Sequence, residues 1–428
     1  MRTLAARLIA ASVAVSALGV GSALAQPASF EPIPDLPGGT ALGRARAISA
    51  DGTTAVGLSS SGNGDEAFRW TRGEPSALAL GDLPGGAFLS EAHALSADGS
   101  VVFGYGTNSA GNTEAFRWSA GVMQGLGFLP TGGYVSRVYG SSHDGQVACG
   151  ENLFQPTGAP PPLPITQAFR WTAAGGMEGL GFLPGAGFHS TARSMSADGS
   201  VIVGWAADST FANRPFRWTQ ATGMVDISGG AFSGTARGVS ADGQWVVGSN
   251  STTGRAFRWS QATGFTDLGV ALGAPSSAAA AVSADGRRVL TVSGGRACLW
   301  RESTGTMEYL QLVLSIDHGI DMGNWNLTVA QGISADGTVM TGYGTNPAGQ
   351  TQAWVAVIPP EGPVCGTADF DGDGDVGTDA DIEAFFACLS GNCCPTCFPG
   401  AADFDMDGDV GTDADIEAFF RVLAGGVC

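Results

Sequence analysis

The sequence predicts an all-β repeat domain followed by a small α-helical domain. Three observations support this prediction: a Ser-Ala-Asp-Gly-like tetrapeptide recurs seven times, an Ala-Phe-Arg-Trp-like motif follows each copy, and an acidic segment is duplicated at the carboxyl end. Glycine accounts for 67 of the 428 residues, and glycine costs about 1 kcal/mol in a helix interior. Turn-rich β-structure is therefore expected for most of the chain.

The Asp-Gly turn is the first repeat marker. Apolar runs at 92–96 and 101–104 flank one copy, and two such runs joined across Asp-Gly predict a β-hairpin, because Gly accepts positive φ. Residues 114–119 and 124–129 supply a third and a fourth strand. Four-stranded repeats are typical of β-propeller blades, so seven copies predict a seven-bladed β-propeller. The turn aspartates are Asp51, Asp98, Asp144, Asp198, Asp242, Asp285 and Asp336.

The second marker ends at a tryptophan in every repeat. Groups that recur at one position in every repeat are expected to be scaffold: Asp caps its turn, Arg joins neighbouring strands, and Phe and Trp fill the core. The histidines lie in four separate repeats without metal-ligand or nucleophile spacing, and no catalytic residue is predicted. The tryptophans are Trp70, Trp118, Trp171, Trp218, Trp259, Trp300 and Trp354; the histidines are His93, His143, His189 and His318.

The amino-terminal segment predicts how the ring of repeats closes. Residues 35–39 carry a fourth-strand element before any first strand has appeared, and the last repeat lacks that element. Pairing the two would remove an exposed sheet edge. Two insertions interrupt the period, at 152–166 and at 302–328, and the second is expected to contain an apolar strand over 310–314.

Residues 31–358 resemble the HAF-repeat extracellular proteins, named for a motif of the Ala-Phe-Arg-Trp kind. The resemblance implies an extracellular propeller and no particular activity. The motif departs from the pattern at 297–300, where Leu299 replaces Arg, and at 353–354, so the role of the arginine is unassigned in those two repeats.

The first 25 residues have the composition of a secretory signal peptide: Arg2 and Arg7, an apolar run over 8–20, and Ala-Leu-Ala before Gln26. The run is shorter than the roughly 20 residues of a membrane-spanning helix. The chain is therefore expected to be secreted, extracellular or at the cell surface, without a membrane span. The predicted divisions are 1–25, a propeller over 26–358, a linker over 359–364, and a tail module over 365–428.

The tail concentrates both negative charge and cysteine. Of the net charge of −19, residues 365–428 contribute −13, because fourteen acidic residues face Arg421 alone. Such a polyanion disfavours nucleic-acid binding. Six of the eight cysteines lie in the same segment, which predicts three disulfides in an oxidising compartment and leaves the pairing open. Cys149 and Cys298 are expected to be small buried apolar residues.

The duplicated tail segment has the spacing of calcium-binding loops. Carboxylates at loop positions one, three and five with Gly at six supply the hard oxygen ligands that Ca²⁺ prefers, and the segment recurs after 34 residues. Position twelve is Ala380 or Ala414, so Asp381 and Asp415, or else Asp379 and Asp413, close the loops. The predicted ligands of two Ca²⁺ ions are Asp369, Asp371, Asp373, Asp375, Asp381, Asp403, Asp405, Asp407, Asp409 and Asp415.

Each loop leads into Thr-Asp-Ala-Asp-Ile-Glu-Ala-Phe-Phe, where Thr378 or Thr412 caps a helix with Asp381 or Asp415 three residues on. The segment 365–428 resembles a type I dockerin, a pair of EF-hand-like loop-helix units, and the resemblance implies either a cohesin-like partner or a terminal anchoring role. The cysteines are unusual for that family.

These features favour a secreted, non-enzymatic binding protein, whose propeller contacts an extracellular glycan or protein and whose calcium-stabilised tail anchors it. One alternative is a polysaccharide-active enzyme, a hydrolase or a lyase, which would place two or three convergent carboxylates on one propeller face. The other is a structural cell-surface protein.

Overall fold

The computed structural model describes residues 27–155, 164–185, 188–360, 370, 378–390, 404 and 411–423. These residues are mostly β-strand, with short helices in one insertion and in the tail. No helix within these ranges has both the length and the apolar character needed to cross a bilayer.

The strands pair in order along the chain, and the described residues contain seven antiparallel four-stranded units. The strands are β1 (Ser29–Pro32); in the first unit β2 (Gly38–Ile48), β3 (Thr54–Ser61), β4 (Gly64–Thr71) and β5 (Leu78–Ala79); in the second β6 (Gly85–Leu95), β7 (Val101–Asn108), β8 (Thr113–Ser119) and β9 (Val122–Gly125); and in the third β10 (Val135–Ser141), β11 (Val147–Phe154), β12 (Ile165–Thr172) and β13 (Gly176–Gly181).

The remaining units follow the same plan. The fourth contains β14 (Ser190–Met195), β15 (Val201–Ala207), β16 (Asn213–Thr219) and β17 (Gly223–Asp226); the fifth β18 (Gly234–Val239), β19 (Val246–Asn250), β20 (Arg255–Ser260) and β21 (Gly264–Asp267); the sixth β22 (Ser277–Val282), β23 (Arg288–Ser293), β24 (Arg296–Arg301) and β25 (Thr306–Tyr309); and the seventh β26 (Asn326–Ile333), β27 (Val339–Thr345) and β28 (Thr351–Val357), with β1 as its fourth strand.

The strand β1 completes the seventh unit from the other end of the chain. It pairs antiparallel with β28, from Ser29 opposite Val357 to Pro32 opposite Trp354. The sequence predicted this closing strand at residues 35–39. The structure places it upstream of them, at Ser29–Pro32. Pro37 has no N–H to donate to a ladder, and the segment around it forms the connection into β2.

A belt of backbone hydrogen bonds joins the first strands of successive units beside their Asp-Gly turns. Its members are the residues that follow the turn serines, and six of these N–H groups donate to the carbonyl of the corresponding residue in the next unit over 2.8 to 3.2 Å. These bonds run from Ala50 to Ala97, His143, Ala197 and Ala241, then from Ala284 to Ala335, and from Ala335 back to Ala50. Because the last bond returns to the first unit, the repeats form a closed ring.

The repeated Asp and Arg have the scaffold roles that the sequence predicted. Asp98 Oδ1 accepts from the Ser96 hydroxyl (2.6 Å) and from the Ser100 N–H (3.0 Å), and these bonds lower the pKa of Asp98 to about 2. Arg69 Nε donates to the carbonyl of Gly99 in the next unit over 2.7 Å. These contacts fix each turn and join it to its neighbour.

In the sixth unit, an arginine on a different strand makes the contact that the marker arginine makes elsewhere. Leu299 occupies the place of the marker arginine and is fully buried. Arg288 on β23 instead donates to the carbonyl of Gly337 in the seventh unit over 3.0 Å. The contact to the next turn is therefore retained although the motif is degenerate.

Two further predictions meet different outcomes. Cys149 and Cys298 form no disulfide and are fully buried, as expected.

The prediction of an apolar strand over 310–314 is wrong: the segment forms a short helix, α1 (Leu310–Leu312), followed by a π-helical turn at Val313–Asp317. Leu310, Val313 and Leu314 are buried there, which is the spacing of one helix face rather than of a strand.

The described part of the tail consists of two helices around a phenylalanine cluster. They are α2 (Asp379–Leu389) and α3 (Asp413–Leu423). The Thr378 side chain and Asp381 form the predicted capping box of α2. Phe385 and Phe419 stack with ring centroids 4.0 Å apart, against the fully buried Phe370 and Phe404. Matching residues of the two segments thus share one small core.

Candidate functional site

Every innermost strand carries a β-bulge at the same position, five residues before the turn aspartate. In the second unit Ala92 pairs with Gly104 and Ala94 with Phe103, so His93 has no partner residue. The same shift occurs in all seven units. A bulge re-aims its extra side chain. The bulge residues are Arg46, His93, Tyr139, Arg193, Arg237, Ala280 and Gln331.

A glycine on the second strand permits this geometry. A Cβ on Gly104 would lie 1.9 Å from the carbonyl oxygen of Glu91, so no larger residue fits without moving the bulged strand. The corresponding glycines of five other units, at which a Cβ would lie 1.8 to 2.0 Å from the neighbouring carbonyl, are Gly57, Gly150, Gly204, Gly248 and Gly342.

The seven bulge residues all line one cavity in the middle of the ring, with a volume of about 420 Å³. The ring is chemically one-sided: units one to five contribute Arg, His, Tyr, Arg and Arg, whereas units six and seven contribute Ala280 and Gln331. The charged bulge residues therefore lie in units one, four and five, and the polar His93 and Tyr139 lie between them in units two and three. We call this cavity with its bulge residues the channel site.

The channel site is cationic although the chain is strongly acidic. Two residues before the bulge, the innermost strands of units one, two and three carry Arg44, Glu91 and Arg137. The cavity lining itself includes the three bulge arginines Arg46, Arg193 and Arg237 and, among the described residues, no Asp or Glu. The chain as a whole carries −19, so this positive charge is local and attracts anions.

Glu91 is the centre of the first polar network. Arg46 Nε donates to its Oε1 (2.7 Å) and the Tyr105 hydroxyl to its Oε2 (2.5 Å). Burial alone would raise the pKa of Glu91, but His93, Arg46 and Tyr105 hold it well below its usual range. Glu91 is therefore a permanent carboxylate.

His93 lies between this carboxylate and two tyrosines. Its Nε2 is 3.5 Å from Glu91 Oε1, and its ring stacks on Tyr105 at 5.4 Å and meets Tyr139 edge-on at 5.3 Å. Burial is the main cause that lowers the pKa of His93, and the cations Arg46 and Arg193 act in the same direction against Glu91. The ring is therefore uncharged at neutral pH.

Glu151 is the centre of the second network. It accepts from Arg137 (3.0 Å), from the Tyr139 hydroxyl (2.8 Å) and from Thr191 (3.1 Å). Burial and then the Glu151 charge raise the pKa of Tyr139, so its phenol stays protonated. Arg193 lies over the Tyr139 ring with its guanidinium carbon 4.3 Å from the centroid.

Sequence reasoning missed the channel site. It treated the repeated Arg and Asp as scaffold, which is correct, and searched for linear motifs, which the site lacks. The available signal was positional: in an alignment on the turn aspartates, the residue five places earlier varies as Arg, His, Tyr, Arg, Arg, Ala and Gln while the surrounding pattern repeats.

Of the predicted calcium ligands, only Asp381 and Asp415 lie within the described residues. Both are fully buried. Asp381 Oδ1 accepts from the Phe370 N–H (2.6 Å) and Oδ2 from the Thr378 N–H (2.7 Å), and Asp415 does the same with Phe404 and Thr412. Each carboxylate thus joins the start of its helix to the start of its loop.

The other eight predicted ligands lie outside the described residues. Within the described ranges no three His, Cys, Asp or Glu side chains are grouped closely enough to hold a metal ion. Asp379 and Asp413, the alternative closing ligands, are the first residues of α2 and α3. Cys388 is disulfide-bonded to a partner outside the described residues. The remaining cysteine pairing stays a prediction.

Neither a family model nor a curated protein sequence matches the chain. Among solved structures, oligogalacturonate lyase from Vibrio parahaemolyticus aligns at 11% identity over 78% of this chain and 98% of its own, with a TM-score of 0.48. A puromycin-hydrolyzing peptidase from Mycobacterium tuberculosis aligns at 14% over 77% and 54%, also at 0.48. The Cps50 (Swd1) β-propeller domain from Myceliophteria thermophila aligns at 11% over 77% and 99%, at 0.43.

These similarities concern the fold, which is mainly β and propeller-like. They also correct one prediction. The sequence favoured a non-enzymatic binding protein, whereas the aligned structures include a lyase and a peptidase, and that prediction is not retained. The channel site of this chain brings together the uncharged His93, Tyr139 and the arginines Arg46, Arg193 and Arg237.

Proposed function

We propose that this chain is a polysaccharide-active enzyme that cleaves an anionic, uronate-containing polysaccharide by elimination in the channel of a seven-bladed propeller. The observation that carries the proposal is the bulge ring, which places His93 and Tyr139 side by side between arginines. The blade count is supported by seven four-stranded units and by the belt bond from Ala335 to Ala50. The HAF-repeat resemblance is compatible with this architecture.

Arginine supplies the recognition of the substrate carboxylate. In an elimination, a proton leaves the carbon next to the carboxyl group, so negative charge develops on that group in the transition state. Guanidinium groups placed there stabilise the developing charge. Arg46, held by Glu91, lines the cavity on the first-unit side of His93, and Arg44 of the same strand lies over the Tyr343 ring.

His93 is the base. A carboxylate 3.5 Å from Nε2 favours the tautomer with its proton on Nε2, which leaves the lone pair on Nδ1. The lowered pKa of His93 keeps the ring in this basic form at neutral pH. Glu91 acts as a positioning residue, because it orients the ring without contacting the reacting carbon.

Tyr139 is the acid. The base takes the C–H proton, the electron pair forms the C=C bond, and the C–O bond to the leaving sugar breaks as the Tyr139 phenol, released from its hydrogen bond to Glu151, gives its proton to that oxygen. The proton on His93 then returns to the Tyr139 phenolate, so no water is consumed. A phenol whose pKa is raised still protonates an alkoxide, which is the stronger base.

Hydrolysis is the weaker candidate. It needs one carboxyl group with a raised pKa as general acid and a second as base or nucleophile. The pKa of Glu91 is lowered, and three donors already occupy Glu151. Neither carboxylate therefore suits the part of general acid.

The test is a panel of polygalacturonate, alginate and hyaluronan, with neutral xylan as control. We expect at least one uronate polymer to yield products with the ultraviolet absorbance of a 4,5-unsaturated sugar, and xylan to yield none. The appearance of new reducing ends without that absorbance would show that the reaction is hydrolysis instead. No cleavage of any uronate polymer would reject the proposal.

We also propose that residues 365–428 form an exported, dockerin-like module that binds two Ca²⁺ ions. The matched burial of Asp381 and Asp415 supports two equivalent loop-helix units. Chelation is expected to unfold this module and spare the propeller. Calcium at about 100 times Kd would stabilise the module by roughly 2.7 kcal/mol per site. Calorimetry of the intact protein that detects no binding at millimolar calcium would refute this proposal.

A further inference from the structure

We propose that Arg193 and Arg237 form a second carboxylate subsite, which holds the uronate on the leaving side of the cleaved bond. The inference deepens the proposed function and rests on it for the nature of the ligand. It predicts that the enzyme requires consecutive uronates, and that polymers in which uronates alternate with neutral sugars are poorer substrates.

The two arginines differ from Arg46, the third bulge arginine of the channel site. Arg46 and Arg137 have carboxylate partners, Glu91 and Glu151. Arg193 and Arg237 have no ion pair in the part of the chain that the structure describes, and both are exposed to the cavity that they line. Their positive charge is therefore available to a ligand.

Their position makes them a pair. They are the bulge residues of adjacent units, on β14 and β18. The enclosed position of Arg237 in the cavity is the main cause that lowers its pKa, and the like charge of Arg193 lowers it further, so the two guanidinium groups repel each other. A carboxylate between them would relieve that repulsion, and the guanidinium fork binds a carboxylate with two parallel hydrogen bonds.

The order around the ring assigns the side of the bond. Starting from Arg46, the bulge residues run His93, Tyr139, Arg193 and Arg237. The base therefore faces the arginines of the first unit, and the acid faces this pair. Arg193 also stacks on the Tyr139 ring. A sugar whose oxygen receives the Tyr139 proton thus places its own carboxylate near Arg193 and Arg237.

The test measures binding of trigalacturonate and of its methyl ester by calorimetry at fixed ionic strength. The ester matches the acid in size and lacks its charges. We expect Arg193→Gln and Arg237→Gln each to weaken binding of the acid by about tenfold or more, as expected for a lost hydrogen bond to a charged group. Arg255→Gln is the matched control, because Arg255 is an exposed arginine on β20 outside the cavity.

Thermal unfolding separates this role from a structural one. Without ligand, Arg237→Gln is expected to leave the melting temperature unchanged or raised, because it removes a like-charge contact. Unchanged affinity for trigalacturonate in both variants, or equal binding of acid and ester, would overturn the subsite. Arg237-dependent binding without cleavage in the polymer panel would retain the subsite and reject the elimination; cleavage with Arg237-independent binding would do the reverse.

Discussion

Replacing His93 with Gln is expected to lower the turnover of a uronate polymer by about 10²- to 10⁴-fold, the usual contribution of a general base. Glutamine is similar in size and polar, so it preserves the bulge and the contacts with Tyr105 and Tyr139 while removing the titratable nitrogen. The measurement is the initial rate of formation of the unsaturated product. Because the base acts in the chemical step, kcat falls and KM changes little.

The pH profile of the wild-type enzyme tests the same assignment. The reactive form of His93 is the uncharged ring. Burial, Arg46 and Arg193 disfavour its protonation more than Glu91 favours it, while Tyr105 and Tyr139 stay neutral. Activity is therefore retained through neutral pH and lost only as the pH falls through a value below 6.5, the ordinary pKa of histidine.

Two controls accompany the His93 variant. Arg255→Gln should retain full activity, since Arg255 pairs with Asp267 on the surface. An unchanged melting temperature for His93→Gln would show that its loss of activity is not a loss of fold. A His93→Gln enzyme within a few-fold of the wild-type rate would transfer the role of base to another residue and refute the mechanism.

Removing β1 is expected to destabilise the whole ring rather than one sheet. Truncation at residue 33 deletes the fourth strand of the seventh unit and exposes the edge of β28, and it removes Phe30, whose ring packs on Trp325 with centroids 5.2 Å apart. An exposed edge also promotes aggregation. Thermal unfolding should show a lower midpoint, and light scattering should show self-association.

A pair of point variants gives a milder form of this test. Phe30→Ala should cost about 1 to 3 kcal/mol, less than a fully buried aromatic because Phe30 is only partly buried. Leu78→Ala is the control, since Leu78 lies in the outermost strand of the first unit and is 51% exposed. Equal midpoints for the truncated and intact chains would show that β1 is dispensable for closure.

The repeat architecture was predictable because the same turn and core markers recur in every repeat. Asp98 and its six counterparts mark hairpins whose turn chemistry is local, and local chemistry can be read from sequence. The position of the closing strand was less accessible. Both 29–32 and 35–39 are short segments before the first unit, and the ladder with β28 distinguishes them only through contacts more than 300 residues apart in the chain.

The channel site was not predictable by motif because no two of its bulge residues are neighbours in sequence. His93 and Tyr139 come together only when successive units pack side by side. The inward direction of each side chain depends on a bulge, which adds one residue to the strand and so shifts the alternation of faces. If β6 is taken as a regular strand without a bulge, its alternation of faces gives no reason to single out His93.

The hydrogen-bonded belt between the turns has an evolutionary consequence. It is built from main-chain atoms, so every substitution except one to proline leaves its donors and acceptors in place. The bulge position that lines the cavity, by contrast, varies from unit to unit. The residues that line the cavity can therefore change during evolution while the belt is kept. Replacing one bulge residue, such as Ala280, with a charged residue can change the ligand preference of the cavity in one step and leave the ring of repeats intact.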